Sequence, residues 1–215
     1  NFDLYHSTSN TAASLEFFGE GNSVLPNMPS SPSFHQIIMN KGVDQGDTAF
    51  VNTNFTLGAD PSGLLTDKPI RLLNGVLVLD NASINQDLST GGEDFEIPAS
   101  SALKIDQGQV HINGGTGLLL DGTLAVHGGT LDMSGGDHYI QYSASGTATL
   151  EITEGVLRVG SQIRRGLTST EGILHYDQSG GTVVAGYNAA PEGNRGVLEV
   201  VNDGSSFSHT GGDLY

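Results

Sequence analysis

One phrase recurs along this chain and constrains its fold more than any total does. LEITEGVLRVG at 150–160 places two short apolar-alternating pieces on either side of Gly155. LKIDQGQVHI (103–112), TLAVHGGTLDM (123–133), ILHYDQSGGTVVAG (173–186) and VLEVVNDGSSFSH (197–209) share its rhythm. PIRLLNGVLVLDN (69–81) fits the same template. Aligned on their first leucine, Leu103, Leu124, Leu150, Leu174 and Leu198 stand 21, 26, 24 and 24 residues apart. Side chains two apart share one face of a strand, so each unit reads as very short strands joined at a glycine corner. No segment holds the i, i+3, i+4 apolar spacing of a helix. A self-similar unit of this length, with nothing but short strands in it, cannot bury its apolar face alone and must stack on its neighbours.

The expected fold is therefore all-β: a right-handed parallel β-helix, or β-solenoid, with coils of about 21–26 residues. A sandwich or meander would share the strand spacing, but the repeated register favours the coil. Eight or nine coils at the strand spacing make a rod of roughly 40 Å. Gly108, Gly129, Gly155, Gly181 and Gly204 fall at corners, where positive φ or close backbone approach is needed.

Residues 1–35 read as an N-terminal coil and irregular lead-in, with LPNMPSSPS holding three of the seven prolines. Residues 36–215 read as the β-helix proper. The chain starts at Asn1 and ends on HTGGDLY within a repeat, so the helix is expected to continue beyond it. Residues 43–69 read as a decorated coil with VNTNFTLG as its strand. GSQIRRGLTSTEG (160–172) and YNAAPEGNRG (187–196) read as loops at equivalent places one coil apart. Loops leaving one side of a solenoid are where binding concentrates.

Charge narrows the partners. With 24 Asp and Glu against 8 Lys and Arg, the net charge is −16. Phosphate contacts need a cationic face, so nucleic acid and anionic membrane surfaces are not expected partners. The absence of cysteine excludes disulfide scaffolds and thiolate metal sites. No apolar run approaches a membrane span.

LRVGSQIRRGLTSTEGILHYDQSGGTVVAGYNAAPEGNRGVLEV resembles the glycine-rich repeats of large bacterial surface proteins, autotransporter passenger-like regions among them. SLEFFGEGNSVLPN, FHQIIMNKG, NFTLG and PIRLLNGVLVLDN are similar to units of giant secreted surface proteins of Bacteroidetes, many exported by the type IX pathway. Together these resemblances span roughly residues 14–215. They imply a secreted or cell-surface location, an adhesive or structural role, and the secretion machinery as a partner during export.

Chemistry is sparse. None of the seven histidines forms H-x-x-x-H or H-E-x-x-H, and no metal site is expected. GGEDFE (91–96) and GGDHY (135–139) read as solvated turns, with weak Ca²⁺ binding through their carboxylates as the alternative; no other cofactor is expected. The outward row of the first strand is expected to be Arg71, Lys104, Ala125, Glu151, His175 and Glu199. The second is expected to be Val78, His111, Asp132, Arg158, Val184 and Ser208. In these rows no two carboxylates are neighbours, and Asp132 sits beside Arg158. Neither a G-x-S-x-G elbow nor a phosphate-binding loop occurs. No catalytic residue is therefore assigned. Binding candidates are Arg164 and Arg165, the only basic pair, and Tyr187, the aromatic best placed on a loop. Surface glycans or other surface proteins are the partners they suit. The expectation is a non-enzymatic structural or adhesive segment. Its alternative is a polysaccharide-active β-helix enzyme, a lyase or glycoside hydrolase, or the carbohydrate-binding part of one.

Overall fold

The structure, a computed structural model, describes residues 2–6, 13–57, 68–89, 92–142, 146–166, 172–189, 191 and 195–215. Among them no helix occurs, and the strands stack as a parallel β-solenoid of about six turns. That is fewer than the eight or nine anticipated: the first-sheet row from Leu77 to Phe207 advances by 21 to 31 residues per turn, and the step from Ile37 to Ile70 takes 33.

In chain order the strands are β1 (Phe2–His6), β2 (Ala13–Gly19), β3 (Ser23–Leu25), β4 (Ser33–Lys41), β5 (Thr48–Val51), β6 (Thr56–Leu57), β7 (Ile70–Leu79), β8 (Asn85–Asp87) and β9 (Phe95–Ile97). Regular turns follow, as β10 (Ser101–Ile105), β11 (Gln109–His111) and β12 (Gly117–Leu120), then β13 (Thr123–Val126), β14 (Thr130–Met133) and β15 (Tyr139–Tyr142). The next turn is β16 (Thr147–Ile152), β17 (Val156–Val159) and β18 (Ile163–Arg165). The last strands are β19 (Ile173–Gln178), β20 (Thr182–Val184), β21 (Ser206–His209) and β22 (Asp213–Leu214).

Three parallel sheets result. The first runs β2-β4-β7-β10-β13-β16-β19-β21, the second β8-β11-β14-β17-β20-β22 and the third β9-β12-β15-β18. β1 lies antiparallel on the outer edge of β2, unlike every other described pair. β7 belongs to two neighbourhoods. Ile70 and Leu72 pair with β4, while Val76 to Leu79 pair with β5 and β10. The change of direction falls at Gly75, at φ 88°, where a Cβ would meet the carbonyl oxygens of Asp47 and Lys41.

The core consists of continuous rows. Leu77, Leu103, Leu124, Leu150, Tyr176 and Phe207 are in register on the first sheet. Val110, Leu131, Leu157 and Val183 form the row on the second, and Phe95, Leu118, Ile140 and Ile163 that on the third. Most of these side chains are wholly buried, each worth about 1.5–3 kcal/mol of apolar transfer. Phe207, in the final turn, stacks on Tyr176 at 5.1 Å and stays half exposed.

The register corrects the leucine alignment. Leu174 is opposite Ala148, and Tyr176 takes the place beside Leu150. Leu198 is not on the first sheet at all; it bridges Ile163 on the third. An aromatic ring serves the row as well as leucine does, so alignment on leucine alone slipped by one alternation.

Two long polar side chains inside the stack, Lys41 and Gln178, find partners there. The Lys41 ammonium, fully buried, donates to Ser23 Oγ at 3.1 Å and to the carbonyls of Phe18 and Gly19 at 3.4 Å. Gln178 replaces the aliphatic residues of its row, accepts the Tyr176 hydroxyl at 2.6 Å and donates to the Asp213 carbonyl at 3.0 Å. Within the decorated stretch 43–69, residues 58–67 lie outside the described residues. Gln45 reaches over the first sheet, donating to the Ala99 carbonyl at 3.1 Å and accepting from Thr123 Oγ1 at 2.9 Å. Beneath this arm Val76, Val78 and Ala102 form a small second apolar cluster on the outward face.

Candidate functional site

Arg164 and Arg165 are not at a loop tip. The expected loop at 160–172 contains β18, and residues 167–171 lie outside the described residues. Only Ile163 marks this strand as apolar, which is why its charge made it read as loop. Arg164 is 4% exposed, its guanidinium lying 3.8 Å over the Tyr139 ring and donating to Gln162 Oε1 at 3.3 Å. Stacking on an aromatic face and a fixed hydrogen bond are how a guanidinium tolerates burial. Arg165 stands in register with Tyr142, in the row that holds Ile97 and Leu120. Its carbonyl accepts from Arg195 Nη2 at 2.9 Å. Arg195 also forms a bidentate pair with Glu199, its Nε donating to Oε1 at 2.7 Å. That hydrogen bond holds the Glu199 carboxyl below its ordinary range, against the opposing effect of burial. Burial, reinforced by the Glu199 carboxylate, pushes the Tyr142 hydroxyl up.

Tyr187 is exposed, as expected, at 59%. It begins a segment that folds back along the flank: Tyr187 N–H donates to the Val159 carbonyl, and the N–H groups of Asn188 and Ala189 to Gly160. Of the loop at 187–196, residues 190 and 192–194 lie outside the described residues.

Arg164 and Ala189 line one cleft of about 410 Å³. Its other walls come from the same corner of three successive turns, the approach to the third sheet: Gly115 and Thr116, then Asp137, His138 and Tyr139, then Ser161 and Gln162. Register builds it: Gly117 pairs with Tyr139, and Ser161 N–H donates to the His138 carbonyl at 2.8 Å. Thr116 Oγ1 is 2.6 Å from the Tyr139 hydroxyl and donates to Asp94 Oδ1 at 2.8 Å. Ser161 Oγ donates to the Asp137 carbonyl at 2.9 Å and Gln162 Nε2 to the Gly196 carbonyl at 2.9 Å. Sequence reasoning missed this cleft. GGDHY, read as a solvated turn, supplies three of its residues, and only its offset from SQIRR by one turn could have revealed it.

The turn GGEDFE has its carboxylates engaged. Glu93 and Glu96 each lie 3.3 Å from Lys68 Nζ, while Asp94 accepts from Thr116 and Gly117 N–H; residue 91 lies outside the described residues. Among the described residues no group of three or more His, Asp or Glu has a metal-holding arrangement.

The outward rows also differ from expectation. On the first sheet the row is Phe50, Val78, Lys104, Ala125, Glu151, Asp177 and Ser208. Glu151 and Asp177 are therefore neighbouring carboxylates, whereas His175 stands opposite Thr149 and Glu199 lies on another flank. His127 Nδ1 is 3.2 Å from Asp106 Oδ1 and its Nε2 3.4 Å from Glu151 Oε1, close enough to pair when protonated but without hydrogen-bond alignment. On the second sheet Asp87, His111, Asp132, Arg158 and Val184 are in register. Arg158 Nη1 lies 3.3 Å from Asp132 Oδ2. Burial alone would raise the Asp132 carboxyl; hydrogen bonds from Ser134 and Arg158 overcome that and hold it low. A carboxyl held ionised in this way is a poor general acid.

Fold and site together define a parallel β-solenoid with a cleft on its third flank. No protein-family model, curated protein or solved structure matches the chain.

Proposed function

We propose that this chain is a structural and adhesive segment of a large secreted or cell-surface bacterial protein, carried out of the cell by a type IX-like pathway. The observation that supports this reading is the unbroken set of core rows through the stack, from Leu77 to Phe207. Such rows make a stiff spacer whose outward faces are free to carry recognition. The net charge of −16 keeps a long array soluble and self-repelling. Two measurements test the reading. An antibody against this chain should label intact cells that make the parent protein, and should lose that labelling when the type IX export machinery is deleted. Incubation with a polysaccharide panel should release neither reducing ends nor unsaturated sugars.

The second reading is a polysaccharide-active β-helix enzyme or its binding part. Its specific support is the Glu151–Asp177 pair on adjacent turns, with His127 against Glu151. Carboxylates at one strand spacing stand near the separation that retaining glycosidases use. Turnover abolished by both Glu151→Gln and Asp177→Asn would establish it and displace the first.

A further inference from the structure

The cleft on the third flank carries an inference of its own, resting on the adhesive reading. We propose that it binds a neutral glycan chain lying along the solenoid axis.

The lining residues repeat by turn, from Gly115 and Thr116 through Asp137, His138 and Tyr139 to Ser161, Gln162 and Arg164. The cleft thus crosses turns and does not follow a strand. A glycan advances per sugar by roughly the ~5 Å that separates stacked strands, so one sugar can meet one turn. The volume, about 410 Å³, lies within the range of small-ligand sites.

Tyr139 supplies an aromatic body and a hydroxyl, and Arg164 fixes the ring from its face. His138, 9% exposed, and the exposed Asp137 add an imidazole and a carboxylate to the same walls. A carboxylate accepts paired hydroxyl donors, as a sugar diol presents them. It repels a uronate or sulfate, and the −16 charge of the whole chain acts in the same sense at long range. The Arg164 guanidinium already faces the Tyr139 ring and Gln162 Oε1, so its role is to hold the aromatic wall.

The test uses the intact chain labelled with ¹⁵N and ¹³C and titrated with hexasaccharides of glucan, xylan, mannan and galactan, with oligogalacturonate of equal length as the acidic arm. At least one neutral hexasaccharide should shift the amides of Thr116, Asp137, His138, Tyr139, Gln162, Arg164 and Ala189 together. Asp137→Asn should weaken that binding about tenfold, the usual size of one lost charged hydrogen bond. Tyr139→Phe, which keeps the ring beneath Arg164, should weaken it less. Asp132→Asn, on the second sheet, should leave it unchanged. Shifts confined to other residues, no shift with any neutral hexasaccharide, or tighter binding of oligogalacturonate would each overturn the proposal. None of these would touch the adhesive reading, which falls instead on release of sugar ends.

Discussion

At the scale of single residues, backbone freedom and charge pairing carry separable costs. Gly155 has φ 72°, and a Cβ there would press on the Gly129 carbonyl of the turn below. Gly21 has φ 75° with nothing near enough for a Cβ to touch. Gly21→Ala should therefore cost only backbone strain, about 1–2 kcal/mol. Gly155→Ala should cost clearly more, about 3 kcal/mol or above, because stacked backbones must part. Denaturant midpoints of the two variants check this. Asp132 gives a pH-dependent counterpart. Its folded carboxyl is held below the ordinary 3.8, so its contribution is present above that value and fades as pH falls through the lowered one. Asp132→Asn should lower stability at neutral pH and flatten its fall below about pH 4, as read from thermal unfolding between pH 6 and 2.

At the scale of strands and rows, truncating a core residue should cost far more than truncating an outward one. Leu124→Ala opens a hole between Leu103 and Leu150, worth about 2–5 kcal/mol. Lys104→Ala, on the outward face of the same sheet, should stay within about 0.5 kcal/mol. Gln178→Leu continues the aliphatic row of Ile152 yet strands the Tyr176 hydroxyl and the Asp213 carbonyl; we predict a loss of about 1–3 kcal/mol in equilibrium unfolding. The same contrast shows what was legible in the sequence. Alternation in LEITEGVLRV displayed two sheets, because their strands are long enough to repeat. The third sheet stayed hidden. β18 and β9 are three residues each, and FEI and IRR give alternation too little room. The carboxylate pair and the cleft were hidden for a related reason. Both depend on register between turns, and a slip of two residues at Leu174 moved His175 into the place of Asp177. The Asp132–Arg158 contact was legible because the leucines flanking it, Leu131 and Leu157, are truly in register.

At the scale of the whole molecule, six stacked turns at strand spacing give a body only ~30 Å long, whose contacts run almost entirely between adjacent turns. Stability should then grow by increments. A chain ending after Ile152 should keep β-type circular dichroism and lose thermal stability in proportion to the turns removed, and not collapse outright. The two ends of the stack are unlike. Antiparallel β1 closes the outer edge of β2, while at the far end β21 has no strand on its outer edge among the described residues. Each completed turn offers the next a finished row of donors and acceptors, always on the same side. Such a chain has a sense of travel: it can solidify behind its leading end while the remainder is still thread-like. Delivered through a narrow opening N-terminus first, it would pull itself forward, turn by turn, on the free energy of its own folding.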